Sequence, residues 1–220
     1  MERHFDQEFS KLKDKILEMG NHVQAAVDLA IRGLTERNTD HFAQVHEIEK
    51  NINLAHLDVD KFCIRLFARQ SPLGADLRLV FSVVKINADL ERMGDQAVNI
   101  AYNGKDYLTR PPIKELVDLP KMGEEVKTMV RDALAAFFTL DVEQAKKVLM
   151  NDDVVDELKN KIFNELSSMM KANPAVVDGA LDLILIARNL ERLGDHATNI
   201  AEAAIFDANG EDVRHGKDKT

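Results

Sequence analysis

DLERMGDQAVNIA at residues 89–101 and NLERLGDHATNIA at residues 189–201 are two copies of one segment. The copies are 100 positions apart, and nine of their thirteen residues are identical. Chance does not produce such a match, and a repeat of this length is typical of a duplicated supersecondary unit. We therefore expect the chain to consist of two related halves.

Apolar residues around both copies recur at helical spacing. They follow alternating steps of three and four over residues 45–66, 79–100 and 183–204. Such stripes are typical of long amphipathic helices that pack against antiparallel neighbours. The pattern predicts an all-α fold of two tandem three-helix bundles related by internal duplication. The predicted helices cover about 4–37, 40–70, 73–108, 119–139, 141–171 and 174–206.

The expected domains follow from this helix pattern. The first bundle covers residues 1–110, a proline-containing hinge covers 111–120, the second bundle covers 121–208, and a polar tail covers 209–220. Ser71 and Asn173 each precede a proline. Both residue types are favourable helix N-caps, and proline is favoured at the first helical position. We therefore expect each to begin the third helix of its half.

The composition excludes several classes of protein. The 220 residues include 38 acids and 29 bases, a net charge of −9, which disfavours general binding to nucleic acid or an anionic membrane. A single cysteine excludes a disulfide framework and a multi-thiolate zinc site within one chain. The charged start lacks the apolar core of a signal peptide, and no run of 18 apolar residues could cross a bilayer. We expect a cytoplasmic protein without membrane insertion.

Each copy of the repeat carries an E-x-x-x-D motif, Glu91 with Asp95 and Glu191 with Asp195. This spacing places both carboxylates on one face of a helix, with Cβ atoms about 5–6 Å apart. The preceding helix of each half has a matching row of oxygen-bearing side chains, and antiparallel packing would turn the rows toward each other. The facing residues are Glu49 and Asn53 in the first half, and Asp152 and Asp156 in the second.

Such an acidic groove needs a counterion. Two carboxylates about 4 Å apart repel by up to ~4 kcal/mol at an effective dielectric constant near 20. Oxygen donors suit hard cations such as Mg²⁺, Ca²⁺, Mn²⁺ or iron. We therefore treat both grooves as candidate metal sites. Further side chains that could join them are Asn99, Asn199, Glu202, His56 and Asp60.

Arginine provides an alternative to a metal ion. Arg92 and Arg192 lie inside the two motifs and could neutralise the carboxylates in a salt-bridge network. From the residues alone, both alternatives remain open.

The doubled LERxGD segment, together with RQSPLGADLRLV at 69–80 and EDVRHG at 211–216, resembles the PhoU family of phosphate-uptake regulators. The resemblance covers nearly the whole chain. It implies two three-helix bundles with surface clusters of iron, manganese, magnesium or zinc. The implied ligands are Glu49, Glu91 and Asp95, and Asp152, Asp156, Glu191 and Asp195. Asn53 stands where the family motif has aspartate, so the first cluster is expected to bind fewer ions or to bind more weakly.

The resemblance also implies a role. Such proteins are similar to adaptors that restrain phosphate uptake and phosphate-starvation signalling. They link the ATPase subunit of the phosphate ABC transporter to a membrane sensor histidine kinase, and they often form homodimers. No enzymatic activity is implied.

Two other functions are considered. A helical bundle with acidic grooves could be a metal-dependent enzyme, either a carboxylate-bridged di-iron oxidase or a phosphohydrolase. Di-iron bundles use Glu-x-x-His ligands, and the chain has no such motif, which counts against the oxidase. The chain could also be a helical scaffold without metal, with its acids tied to arginines.

Overall fold

Over the described residues, the protein consists of six long helices. The structure is a computed structural model, and it describes residues 4–210. The predicted polar tail from residue 211 onward, including the EDVRHG segment, lies outside the described residues, as do residues 1–3. The helices are α1 (His4–Thr35), α2 (Thr39–Gln70), α3 (Ala75–Leu108), α4 (Asp118–Thr139), α5 (Val142–Ala172) and α6 (Val177–Asn209), with a short 3₁₀ turn at Pro174–Val176. The described residues contain no strand, and the all-α prediction is confirmed.

The helix ends show how the turns are made. Asn38 and Asp141 cap α2 and α5, because their side chains accept hydrogen bonds from the amides of Asp40 and Gln144, each at 3.0 Å. Asn173 caps the 3₁₀ turn before α6 in the same way, as the sequence suggests. The expectation for Ser71 is wrong. Ser71 ends α2 in a left-handed conformation with φ 43°, and α3 begins only after Gly74.

The helices of each half are antiparallel, and the halves join through α3 and α6. Helix α2 packs against α1 and α3, α5 packs against α4 and α6, and α1 packs against α4. The buried apolar side chains form one cluster to which all six helices contribute. The two bundles therefore share a core, and α2 and α5 lie on the flanks of the molecule.

The segment between the halves is bound to the ends of neighbouring helices. Arg110 donates a hydrogen bond to Asp182 of α6 at 2.7 Å, and the amide of Ile113 donates to the hydroxyl of Tyr107 at 3.3 Å. Arg37 donates to the carbonyls of Leu108 and Arg110. Helix α4 begins at Asp118, within the predicted hinge at 111–120. These contacts hold the connection between the halves against the end of the bundle.

Candidate metal centre

The two repeat glycines fix which residues face each other across the grooves. A Cβ atom at Gly194 would lie 3.5 Å from both Asp152 and Val155 of α5, and one at Gly94 would lie 3.1 Å from Ile52 of α2. Val155 is thus the counterpart of Ile52, a shift of 103 positions. Close packing at the glycines brings α5 against α6 and α2 against α3, which is the facing arrangement that the sequence predicts.

Acids from both helices meet in the second groove. The ammonium of Lys159 lies 2.8 Å from Asp156 on its own helix and 2.9 Å from Glu191 on α6. Two carboxylates from different helices therefore bind the same cation. These hydrogen bonds raise the pKa of the Lys159 amine, against the opposing effect of partial burial. Lysine supplies the positive charge that the acidic groove requires.

Asp195 also lies close to the negative charges of this groove. Partial burial of its carboxyl group raises its pKa, and the negative charges of Glu191 and Asp156 raise it further. The charges of His196 and Lys159 act in the opposite direction. The residue nevertheless remains exposed at the surface, where a cation can reach it. With Asp152 beside Gly194, four carboxylates line this groove, and we call them the α5–α6 acid cluster.

The first groove is less acidic. The amide of Asn53 donates a hydrogen bond to Glu49 on the same face of α2. Glu91 and Asp95 lie on α3 next to Gly94, which packs on Ile52. The 103-position shift makes Asn53 the counterpart of Asp156 and His56 the counterpart of Lys159. The groove thus has one carboxylate fewer than the α5–α6 acid cluster, and histidine stands where the second half has its lysine.

The remaining candidate ligands make contacts outside the two acid pairs. Nε2 of His56 is 3.5 Å from Asp60, and the amide of Asn87 on α3 donates to Asp60 at 3.0 Å. Asn199 and Glu202 line a cleft of about 400 Å³ between α3 and α6, where Asn199 donates to Asp89 at 3.2 Å. The carbonyl of Asn99 accepts a hydrogen bond from Asn103. The structure thus brings Asn199 and Glu202 to the contact between the halves, away from α5.

Arginine does not neutralise the acid motifs. Arg92 lines the α3–α6 cleft, and no carboxylate of residues 4–210 forms a salt bridge with Arg92 or Arg192. Lys159, which was not predicted as part of the groove, takes this role in the second half. Its position three residues after Asp156 is the signal that could have identified it.

The donor set of the α5–α6 acid cluster suits a hard cation, and the side chains need to rearrange to hold one. Within the described part of the chain, no three acidic, histidine or cysteine side chains are placed as a ready metal site. Lys159 occupies the space between Asp156 and Glu191. Because lysine has a flexible stem, its ammonium is the group that would have to move for a cation to bind there. The predicted ligands therefore remain a prediction in both grooves.

Comparison with known proteins identifies the relatives of this architecture. The model of the PhoU domain matches residues 16–103 and again residues 119–204. A phosphate-specific transport system accessory protein PhoU homolog from Aquifex aeolicus is 38% identical over 94% of this chain and 94% of the relative. The accessory protein PhoU of Escherichia coli is 30% identical over 96% of this chain and 88% of its own length.

Solved structures agree with the sequence comparisons. The crystal structure of PhoU from Pseudomonas aeruginosa superimposes with a TM-score of 0.90 at 33% identity, covering 94% of this chain and all of the other. The phosphate transport system regulatory protein PhoU from Streptococcus pneumoniae gives a TM-score of 0.85 at 26% identity, over 96% and 99% of the two chains. These relatives carry the names of accessory and regulatory proteins of transport, not of enzymes, which confirms the expected class and leaves the enzyme alternative without support.

Proposed function

Because the chain belongs to the PhoU family, we propose that it is a metal-dependent cytoplasmic adaptor that restrains phosphate uptake and phosphate-starvation signalling when phosphate is plentiful. Its partners would be the ATPase subunit of the phosphate ABC transporter and a sensor histidine kinase, and it would act as a homodimer. None of the helices in the described residues is long and apolar enough to cross a membrane.

The α5–α6 acid cluster is the observation that supports the metal-dependent part of this proposal. Asp152, Asp156, Glu191 and Asp195 would hold the ion, which would be iron, manganese, magnesium or zinc. The hard oxygen donors fit such an ion. Burial, and then the charges of Glu191 and Asp156, raise the pKa of Asp195, and a bound cation would act against both effects. The α2–α3 groove, with Glu49, Asn53, Glu91 and Asp95, would bind a second ion more weakly.

A metal ion would act on the surface that partners contact. Binding would release the Lys159 ammonium from Asp156 and Glu191, which changes the charge pattern across α5 and α6. A partner that binds the metal-loaded pattern more tightly shifts the population toward that state, and by linkage it also tightens metal binding. The α3–α6 contact lies beside the cluster, so the change occurs next to the junction of the halves.

The test combines metal analysis with complementation. We expect Asp156→Asn with Glu191→Gln to lose bound metal and to fail to repress phosphate-starvation genes in a bacterium that lacks its own family member. The matched control is Asp153→Asn with Glu157→Gln, which removes the same charge from exposed positions of α5. Equal metal content in both variants would refute the metal site, whereas metal loss with full repression would refute its regulatory role.

A further inference from the structure

The end of the α2–α3 hairpin, residues 61–85, exposes large apolar side chains. Leu73 lies in the turn between the helices and is 81% exposed. Ile64 near the end of α2, and Leu77 and Phe81 at the start of α3, are also exposed. Several large apolar side chains exposed near one end of a hairpin are a feature of interaction sites. We refer to residues 61–85 as the hairpin end.

The hairpin end is also rich in basic residues. The hairpin end contains one acid, Asp76, and five basic residues, in a protein whose net charge is −9. Lys85 lies 4.6 Å from the ring centroid of Phe81. Arg78 lies 3.7 Å from Asp207, and the charge of Lys85 also acts on this carboxylate. None of the basic residues other than Arg78 forms a salt bridge within residues 4–210. The five are Lys61, Arg65, Arg69, Arg78 and Lys85.

The second half of the molecule lacks this patch. At the matching positions of α5, Asn164, Ser168 and Ala172 replace the three basic residues of α2. In α6, Asp178 and Leu185 replace Arg78 and Lys85. The same backbone is therefore built without these charges, so the basic character of the hairpin end is not a requirement of the fold.

We propose that the hairpin end docks on an anionic phospholipid surface. Lys and Arg side chains next to exposed apolar groups are what such a surface binds, through lipid phosphates and shallow apolar burial. Leu73 protrudes from the end of a helical hairpin, which suits a flat layer better than a helical segment that requires a groove. A symmetric dimer through this patch would set cations against cations.

The overall negative charge does not oppose this contact. At physiological ionic strength charges are screened over about 8 Å, so the lipid surface senses the local patch and not the sum over the chain. The contact is peripheral and requires no spanning helix. It goes beyond the proposed regulatory function and does not depend on metal binding.

Vesicle co-sedimentation of the full chain tests the proposal. We expect binding to vesicles of phosphatidylglycerol and phosphatidylethanolamine, weakened by added salt, and no binding to phosphatidylcholine vesicles. Equal binding to both vesicle types, or binding to neither, would overturn the proposal. Failure on anionic vesicles together with binding of an acidic peptide would assign the patch to a protein partner instead.

Paired variants locate the contact. Arg65→Glu with Arg69→Glu should weaken vesicle binding at least about thirty-fold, since each basic residue near an anionic leaflet contributes about 1 kcal/mol. The control is Lys105→Glu with Lys171→Glu, which reverses two exposed cations at the opposite end of the bundle and should leave binding unchanged. Equal losses in both variants would contradict docking at the hairpin end.

The internal repeat provides a control for the apolar part. Phe81 and Leu181 occupy the same repeat position and are similarly exposed, at 51% and 47%. Phe81→Asp should lower vesicle binding, and Leu181→Asp should not. Because the chain has no tryptophan, Leu73→Trp introduces a single fluorophore whose emission should shift to the blue on anionic vesicles. If the emission of Leu73→Trp does not shift, or if that of Leu181→Trp shifts equally, Leu73 is not buried in the lipid surface.

Discussion

Nδ1 of His196 on α6 lies 2.9 Å from Oδ1 of Asp89 on α3, so the two copies of the repeat bind each other through positions at which they differ. The repeat equivalents of these residues are Asn189 and Gln96. The side-chain oxygen of Gln96 is buried and has no hydrogen-bond partner among residues 4–210. The carboxyl and imidazole groups of Asp89 and His196 are thus joined, whereas the equivalent positions carry two amides, of which Asn189 donates to the carbonyl of Leu185.

From this contact we expect Asp89→Ala and Asp89→Asn to differ in stability. Asp89 is buried and also accepts a hydrogen bond from Asn199, so Asp89→Ala leaves two donors without an acceptor. We expect the free energy of unfolding to fall by about 2–3 kcal/mol, measured by urea denaturation. Asp89→Asn keeps an acceptor oxygen and should cost less. If the urea midpoint of unfolding is the same for Asp89→Ala and the wild type, the pair does not stabilise the α3–α6 contact.

From the position of Lys159 between two acids, we expect its replacement to lower the stability of the metal-free protein and to raise the affinity for metal. Without its ammonium, Asp156 and Glu191 lose the cation that they share, so Lys159→Met should lower the free energy of unfolding of metal-free protein by about 1 kcal/mol. The same change should tighten Mn²⁺ binding by about five- to ten-fold, because no ammonium has to be displaced. Calorimetric titration measures the affinity, with Lys147→Met as the control on an exposed lysine of α5. Unchanged affinity would argue against the cluster as the binding site.

Asp207 predicts a pH dependence of stability. It is buried beside Ser82, which donates to it at 3.1 Å, and its second carboxylate oxygen has no hydrogen-bond partner in the described part of the chain. Burial raises its pKa from 3.8 to about 6. The folded state therefore favours the protonated form, and this contribution, on the order of 2–3 kcal/mol, is present below pH 4 and lost as the pH rises through about 6.

Replacement of Asp207 should remove that dependence. Asp207→Asn stays neutral, so we expect it to unfold at a higher temperature than the wild type at pH 8, with the difference disappearing toward pH 4. Thermal melts across this range give the measurement, and Asp153→Asn, an exposed acid of α5, serves as the control. A constant difference between variant and wild type at every pH would show that Asp207 does not titrate as described.

Gly104 lies where α1, α2 and α3 meet, and we expect that there is no room for a side chain at this position. A Cβ atom there would lie 2.6 Å from the Phe42 ring and 3.2 Å from Leu34, and Phe42 is buried. Gly104→Ala should therefore lower the free energy of unfolding by about 1–3 kcal/mol. Adding Phe42→Leu should recover part of that loss, because the shorter side chain makes room. Additive losses in the double variant, measured by urea denaturation, would disprove the steric explanation.

Much of the fold could be predicted because its causes are local. The apolar stripes gave helix bounds within a few residues of those observed, and the E-x-x-x-D spacing placed the acids on the groove faces. Ser71 was misjudged because serine and the following proline suit a cap sterically, whereas the turn uses the left-handed conformation of Ser71 and the glycine at 74. Turn geometry of this kind depends on how the hairpin closes, which no single residue encodes.

The candidate site was harder to predict because side-chain partners are a tertiary property. Arg92 lies within the motif, yet its position on the helix turns it toward α6, and Lys159 of the neighbouring helix binds the acids. The contact between Asp89 and His196 depends on how the halves pack, and the sequence shows only that both positions differ between the copies.

The shared core has a consequence for fragments of this protein. A protease cut between Arg110 and Asp118 would separate the protein into two fragments. The apolar surfaces that pack between α3 and α6, and between α1 and α4, would then be exposed to solvent. Each piece alone should aggregate, while the two produced together should recombine into one particle. The ancestral gene product with a single copy of the repeat would then have been a pair of identical chains, and duplication tied that pair into one polypeptide.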